Sequence, residues 1–133
     1  MVVDQRYIAR LFRDIHDNLS LLDEVRDEGR ELFDAQRVRR YGVQYALMAI
    51  IEAMIALGHH LIAECGFPAP ERNVDTVTIL VREGVITSPD LAENLPRMVR
   101  FRNLLVHRYW QVEPETVWTV MEQHPDDIRR FCR

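Results

Sequence analysis

The feature that most constrains the fold of this chain is an apolar run from Val43 to Leu57. The run is 15 residues long and contains two strongly polar residues, Gln44 and Glu52. A membrane-spanning helix needs about 20 apolar residues, so we expect no membrane span here. The run predicts a helix that is buried inside a bundle or at a dimer interface. Such a helix needs several other helices, or a second subunit, to cover it.

Apolar residues at three- and four-residue spacing predict long amphipathic helices in the first half of the chain. A first helix is expected to begin after Asp4 and to end at Gly29. Its apolar face is Ile8, Leu11, Phe12, Ile15, Leu19, Leu22 and Val25. A second helix is expected from about Asp34 to Glu64, followed by a stop signal rich in Gly and Pro. Its apolar residues are Val38, Tyr41, Tyr45, Met48, Ile51, Ile55 and Ile62.

Shorter helices are expected in the second half of the chain. One runs from about Asn73 to Glu83. Another begins at Ser88-Pro89, because serine caps helices and proline suits the first turn. Pro96 predicts either a kink in this helix or its division into two short ones. Pro114 is expected to open a last helix, with apolar residues facing inward.

Composition limits the class of protein. The absence of period-two alternation predicts an all-α fold, an up-and-down bundle of four to six helices forming one domain over residues 1–133. The formal net charge is -4, so RNA binding requires a local basic patch, and we expect no DNA binding. Cys65 and Cys132 match no zinc or redox spacing. No signal peptide is evident, which makes the cytoplasm the expected location.

A local basic patch does occur near the end of the chain. It contains Arg97, Arg100, Arg102 and Arg108, and no Asp or Glu lies between the first and the last of them. A solvated helix face is the ordinary explanation of such a cluster. However, His107 falls inside the patch, and its side chain can exchange a proton near neutral pH while arginine stays a fixed cation. The combination indicates phosphoryl chemistry that uses no metal ion.

Helix geometry limits how Arg102 and His107 can form one site. Each helical residue turns by about 100°, so two residues five apart point about 140° away from each other. One solution is a helix that ends near Val106, so that His107 turns back towards Arg102. The other is a site completed by a second copy of the chain, since two-fold dimers are the commonest oligomers.

The stretch from Arg102 to Tyr109 has the form Arg, four residues, His, one residue, Tyr. This form resembles the signature of the HEPN-domain ribonucleases, and of the HepT toxin branch in particular. The flanking segments 55–68 and 80–86 are also similar to these proteins, and the similarity covers about residues 6 to 124. The resemblance implies a homodimeric helical bundle that cleaves RNA without a metal or other cofactor.

The resemblance also implies a partner and a means of control. Proteins of this branch act as the toxin of a type VII-like toxin–antitoxin pair, whose antitoxin is a small MNT-type nucleotidyltransferase. The antitoxin silences the toxin by transferring AMP to the tyrosine of the motif, which is Tyr109 in this chain. AMP next to Arg102 and His107 would repel an RNA phosphate.

The expected reaction is attack of the ribose 2′-hydroxyl on the adjacent phosphorus. His107 would act as general base or general acid, and Arg102 would stabilise the charge on the phosphorane. In a dimer, two His107 side chains could divide the two roles. Asn103 would either donate a hydrogen bond to a phosphate oxygen or cap the end of the helix. Arg97, Arg100 and Arg108 are the expected RNA-binding residues.

Several residues allow more than one interpretation. Glu52 either pairs with Arg102, of the same or the other subunit, or lies on a solvent-facing stripe. His60 either supports the cleft, forms a surface pair with Glu64, or takes part in a zinc site with its neighbour. Tyr41 and Tyr45 lie four residues apart on one helix face, and we predict a role in the core or an interface rather than in base stacking.

Two other functions are compatible with the sequence. The first is a non-catalytic helical module in which the basic patch binds a nucleotide or a partner nucleotidyltransferase, and the acidic net charge of -4 favours it. The second is a purely structural dimeric bundle, which leaves the convergence of Arg, His and Tyr unexplained.

Overall fold

A computed structural model of the protein describes residues 5–67, 69–108 and 112–123. These residues form helices and connecting turns and contain no β-strand. The predicted all-α bundle of four to six helices is therefore confirmed, with six helices. They are α1 (Gln5–Glu28), α2 (Arg30–Ala35), α3 (Arg37–Glu64), α4 (Asn73–Arg82), α5 (Pro89–Arg108) and α6 (Pro114–Gln123).

Helix α3 is the centre of the bundle. Its 28 residues correspond to a length of about 42 Å, and all five other helices pack against it. By length and composition α3 could cross a membrane, but 56% of its most apolar window is buried, as in the core helix of a bundle. The sequence prediction that this run is covered by other helices is confirmed. Its buried residues are Val43, Ala46, Leu47, Ile50, Ile51, Ala53, Met54, Ile55, Leu57, Gly58 and Ile62.

Helix α1 lies along α3 and matches its prediction. Five residues of its predicted apolar face are buried: Leu11, Ile15, Leu19, Leu22 and Val25. The helix ends before Gly29, whose φ of 98° belongs to a region that residues with a Cβ rarely adopt. The spacing of apolar residues therefore predicted most of the buried face, except that Phe12 is exposed, and Gly29 predicted the end of the helix.

The start of the second predicted helix is wrong. The chain forms the short helix α2 first, and an extended residue, Gln36 (φ -118°, ψ 111°), separates it from α3. Neither Gly nor Pro marks this break in the sequence. Tertiary packing explains it, because Phe33 is fully buried and its ring packs on Trp118 of α6 at a centroid distance of 5.1 Å. This contact holds α2 against α6 and makes the chain turn before α3.

The first part of α3 is much more exposed than its apolar spacing predicts. Val38, Tyr41 and Tyr45 are 82%, 51% and 63% exposed. The prediction that they form part of the core is wrong for a single chain, because no described helix covers the side of α3 that carries them. Their alternative role at an interface remains a prediction.

Helix α5 begins and continues largely as its sequence indicates. The Leu91 N–H donates to Ser88 Oγ at 3.4 Å, so the predicted serine cap is confirmed. The helix then runs without interruption through Pro96, and the expected alternative of two short helices is wrong. Pro96 removes one backbone donor, but Leu95 and Met98 on either side are buried, and this packing keeps the helix together.

Gly58 allows α4 to lie close to α3. A Cβ at this position would be 2.6 Å from Thr76 Cγ2 and 3.4 Å from Leu80 Cδ1, whereas a Cβ at Gly42 of the same helix would meet nothing within 4 Å. The absence of a side chain at Gly58 therefore sets the spacing between the two helices.

We expect Gly58→Ala to destabilise the protein by roughly 1–2 kcal/mol, because the added methyl overpacks the contact with Thr76. Gly42→Ala is the matched control and should stabilise it by about 0.5–1 kcal/mol, since alanine favours the helix. In the Gly58→Ala protein, the additional substitution Thr76→Ser removes the clashing methyl and should restore part of the lost stability. Urea denaturation of the four proteins measures these differences, and equal effects at both glycines would refute the close packing.

Candidate active site

Glu52 and Arg102 form an ion pair between α3 and α5. The Arg102 Nε–H donates to Glu52 Oε1, and Arg102 Nη2 contacts the same oxygen. The Arg102 side chain is 18% exposed, and that of Glu52 is 44% exposed. Of the interpretations of Glu52, pairing with Arg102 is confirmed, and the two residues belong to the same chain.

The ion pair leaves part of the Arg102 guanidinium available. Arg102 Nη1 donates to Asn103 Oδ1 at 2.8 Å, so the guanidinium is fixed on two sides. Arginine has five N–H donors, and these contacts engage three of them, which leaves two for a phosphate. Asn103 lies inside α5, five residues before its end, so the alternative that it caps the helix is wrong.

His107 does not turn back towards Arg102. Helix α5 continues to Arg108, and the expectation that it ends near Val106 is therefore wrong. In a continuous helix, His107 points about 140° away from Arg102, and its side chain is exposed. Within one chain, the two residues thus lie on different faces of α5. Of the two solutions considered for a shared site, a second copy of the chain is the one that remains.

Arg100 shares a face with His107, which the sequence analysis did not point out. The two residues are seven apart, so their side chains point within about 20° of each other on the helix. Both are exposed, and Arg100 has no carboxylate partner within residues 5–67, 69–108 and 112–123. The seven-residue spacing was the signal that could have revealed this pair.

The other predicted RNA-binding arginines differ in their surroundings. Arg97 Nη2 contacts Glu93 Oε1 at 3.1 Å on the exposed surface, so its charge is partly neutralised. Arg108 is exposed in the last turn of α5, where the helix dipole favours a cation. Within α5, the exposed arginines without a carboxylate partner among the described residues are thus Arg100 and Arg108.

His60 lies away from the Glu52–Arg102 pair. It is eight residues further along α3, which is about 12 Å. Its Nε2 is 3.9 Å from Glu64 Oε2, and its ring is 6.1 Å from that of Tyr7 on α1. His60 Nε2 and Glu64 Oε2 are thus close, but both atoms are buried and neither has a hydrogen-bond partner among the described residues, so they do not form the predicted surface pair. The structure does not bring His60 to Arg102. Among the described residues, no three His, Cys, Asp or Glu side chains are grouped as metal ligands.

Tyr109, the expected AMP acceptor, lies outside the described residues, as do residues 110–111 and 124–133. The described part of the site therefore consists of one ion pair on the inner side of α5 and one exposed histidine with unpaired arginines on its outer side. This arrangement can bind a phosphate and exchange a proton, provided that the two sides of α5 from two chains meet.

Comparison with known proteins identifies a family. The model of the family described as ribonuclease HepT-like matches residues 15–133. The chain is also similar to the mRNA nuclease HepT of Shewanella oneidensis, with 32% identity over 85 residues. That alignment spans 64% of this chain and 63% of the length of the relative.

Solved structures share the fold over almost the whole chain. A toxin–antitoxin complex with AMP-PNP contains a chain with a TM-score of 0.87 and 25% identity, covering 96% of this chain and 95% of that one. The tri-AMPylated Shewanella oneidensis HEPN toxin in complex with an MNT antitoxin gives a TM-score of 0.85 at 26% identity, over 94% and 92% of the two chains.

The Glu52–Arg102 pair should couple energetically in the folded protein. A double-mutant cycle with Glu52→Gln and Arg102→Gln is expected to give about 1 kcal/mol at low salt, because Arg102 is largely shielded from water. The same cycle at the exposed Glu93–Arg97 pair is the control and should give at most about 0.5 kcal/mol. Urea unfolding of each variant measures both couplings. A coupling energy between Glu52 and Arg102 no larger than that of the control would show that the ion pair does not hold the Arg102 guanidinium in position.

Proposed function

This chain belongs to the ribonuclease HepT-like family, and on that premise we propose that it is the toxin of a type VII-like toxin–antitoxin pair, an endoribonuclease that needs no metal ion. The observation that carries the proposal is the Arg102 guanidinium, held by Glu52 and Asn103 with two N–H donors left over. A fixed cation of this geometry suits a phosphodiester, and the histidine five residues later suits proton transfer.

The proposed reaction needs only the groups of this chain and the RNA. A general base takes the proton of the ribose 2′-hydroxyl, and the 2′-oxygen attacks the adjacent phosphorus. The bond from phosphorus to the 5′-oxygen breaks, and that oxygen receives a proton. The products carry a 2′,3′-cyclic phosphate and a free 5′-hydroxyl. His107 serves as the proton-transferring group, and Arg102 stabilises the additional negative charge on the phosphorane.

The active form is a homodimer in this proposal. Arg102 and His107 of one chain point to different sides of α5, so a complete site contains Arg102 of one chain and His107 of the other. Glu52 then acts as a positioning residue, because it touches Arg102 and not the RNA. Arg100 and Arg108 guide the RNA backbone towards His107, and Arg97, paired with Glu93, contributes less. His60 supports the fold rather than the cleft.

The proposed regulation concerns Tyr109, which follows His107 by two residues in the sequence, and similarity to a tri-AMPylated toxin in complex with an MNT antitoxin supports it. We propose that an MNT-type nucleotidyltransferase antitoxin transfers AMP to this tyrosine. Each AMP brings a phosphate and a bulky base next to Arg102 and His107, where the negative charge competes with the RNA phosphate. Toxin and antitoxin meet in the cytoplasm, where the RNA substrate also lies.

We expect the unmodified protein to cleave RNA in the presence of EDTA and to form 2′,3′-cyclic phosphate ends. His107→Ala should lower the rate by about 10²–10⁴, the typical contribution of a general acid or base. His59→Ala is the matched control, because His59 is an exposed histidine on α3, and it should keep full activity. Analysis of the product ends and initial rates of the three proteins, with intact mass to verify an unmodified Tyr109, measures this.

The same assay separates the proposal from its alternative. Cleavage that stops in EDTA and returns with a divalent metal would overturn the metal-free mechanism. No cleavage by any variant, together with tight binding of ATP or of the nucleotidyltransferase, would favour the non-catalytic binding module that the net charge of -4 also allows.

Mixing two inactive variants tests the shared site. Arg102→Gln and His107→Ala should each be inactive alone. After exchange of subunits, half of the dimers are mixed, and each mixed dimer has one intact site, so about a quarter of the native activity should return. Two different His107 variants mixed in the same way are the control and should stay inactive. No recovery in the first mixture, with subunit exchange shown by tagged chains, would overturn a site built from Arg102 of one chain and a single His107 of the other.

A further inference from the structure

Opposite charges are separated along α1. Its first nine residues contain three arginines, Arg6, Arg10 and Arg13, and no acidic residue. Its remaining fifteen residues contain six acidic residues and one arginine, Arg26. A solvent-exposed helix face more often alternates its charges, so that opposite charges three or four positions apart can pair. Solubility alone does not require the order of charges found in α1.

Five of these charged residues lie on one side of the helix. At about 100° per residue, Arg6, Arg10 and Arg13 lie within a sector of about 60°. Glu24 follows Arg6 by about five full turns, so it lies at the same angle, and Asp27 lies about 60° from it. All five residues are exposed, and the buried residues of α1 point to the opposite side. We call these five residues the charged face of α1.

The charged face of α1 has no ion-pair partner in the part of the chain that the structure describes. Its five side chains form no salt bridge there, either with each other or with another helix. Two acidic residues beside it differ, because Asp23 pairs with Arg26 and Glu28 pairs with Arg39. The residues of the charged face therefore keep their full charge.

The helix dipole does not explain the order of charges either. The start of a helix is the positive end of its dipole and favours acidic residues, whereas the negative end favours cations. In α1, Arg6 lies in the first turn, which contains no acidic residue, and Asp27 lies in the last turn. Both charges thus oppose the dipole of their own helix. An interaction outside the helix would compensate for this cost.

The charged face is complementary to a second copy of itself. Two α1 helices can lie antiparallel about a two-fold axis at the middle of segment 10–27. Arg13 of one copy is then level with Glu24 of the other, and Arg10 is likewise level with Asp27. The axis generates each pair twice, as in any two-fold interface. Another protein would need the reverse order of charges at the same spacing, and the acidic half of the face would repel RNA.

We propose that the charged face of α1 is a second interface between copies of this chain, in which two α1 helices pair antiparallel. Arg10 and Arg13 of each copy bind Asp27 and Glu24 of the other. This surface differs from the shared active site, because α1 contributes no residue to that site. Where the two-chain site also forms, the second interface joins two dimers into a tetramer. The inference goes beyond the proposed function and does not depend on it.

The association through α1 should be weak and sensitive to salt. A pair of single helices buries an area at the low end of specific interfaces. Exposed ion pairs contribute little individually, and salt screens them. The charged face therefore suits a contact that forms at high protein concentration and low ionic strength.

Exchange of the charges tests the pairing. A first variant reverses the basic half of the face (Arg10→Glu with Arg13→Glu), and a second reverses the acidic half (Glu24→Arg with Asp27→Arg). A third variant carries all four substitutions and keeps the net charge of -4. Sedimentation velocity at low and at high salt, at one protein concentration, gives the mass of each protein, and circular dichroism verifies that each is folded.

The matched control is Glu115→Arg with Glu122→Arg. Both glutamates are exposed on α6, and their reversal changes the net charge as much as the second variant does. This control should associate as the native protein does, because it leaves the charged face intact.

We expect the native protein to double its mass at low salt and to return to its high-salt mass in about 1 M NaCl. Each half-reversed variant should associate at least about tenfold more weakly, because like charges then face each other. An equimolar mixture of the two half-reversed variants should associate again. The fully reversed variant should also associate with itself, since its order of charges is again self-complementary.

Equal masses of the native protein at low and high salt would overturn this interface. So would half-reversed variants that associate as the native protein does, a mixture of them that stays apart, or a control that loses association. Binding of the nucleotidyltransferase to the native but not to the fully reversed protein, without self-association, would assign the face to that partner instead. Each mass is compared with the high-salt mass of the same protein, so the result is independent of RNA cleavage and of the shared active site.

Discussion

The burial of α3 is the constraint on which the rest of this structure depends. An apolar helix of about 42 Å cannot be left in water, and the other five helices are arranged around it. Gly58 has no side chain, and this allows α4 to lie close to α3. Glu52 is the acidic residue in the middle of this apolar segment. Its side chain is 44% exposed, and it forms an ion pair with Arg102 that links α3 to α5.

That pairing determines what Arg102 can do. A free arginine on a helix surface samples many rotamers, whereas Glu52 and Asn103 hold this guanidinium on two sides. Because α5 continues past His107, the helical turn separates the histidine from the arginine that the chemistry requires. The continuity of α5 through Pro96 to Arg108 is therefore the physical reason for proposing that two chains share a site.

Arginines without a carboxylate partner occur near His107 and also elsewhere in the described residues. Arg26, Arg30 and Arg72 have carboxylate partners, whereas the exposed Arg6, Arg10 and Arg13 of α1 have none among the described residues. Arg100 and Arg108 near His107 lack such partners within the described residues, and so does Arg37 at the start of α3. A chain with a net charge of -4 can thus still present a locally positive surface.

The sequence by itself determined the all-α class, most of the buried face of α1, the approximate limits of α1 and α4, and the motif that contains Arg102 and His107. These features are local, since they depend on apolar spacing, caps and glycines within a few turns of the chain. The sequence also allowed two interpretations of Glu52, as paired with Arg102 or as solvated, and local patterns do not distinguish them. Only the tertiary structure decided that choice, because residues 52 and 102 meet through the packing of α3 on α5.

Tertiary structure also decided the break at Gln36, the continuity of α5 and the exposure of Tyr41 and Tyr45. The break depends on Phe33 packing against Trp118 of a distant helix, and no local signal marks it. The exposure of the tyrosines depends on where the neighbouring helices lie, and periodicity shows which residues share a face but not whether that face is covered. Contacts between residues far apart in sequence therefore carry the information that the pattern of the chain alone does not.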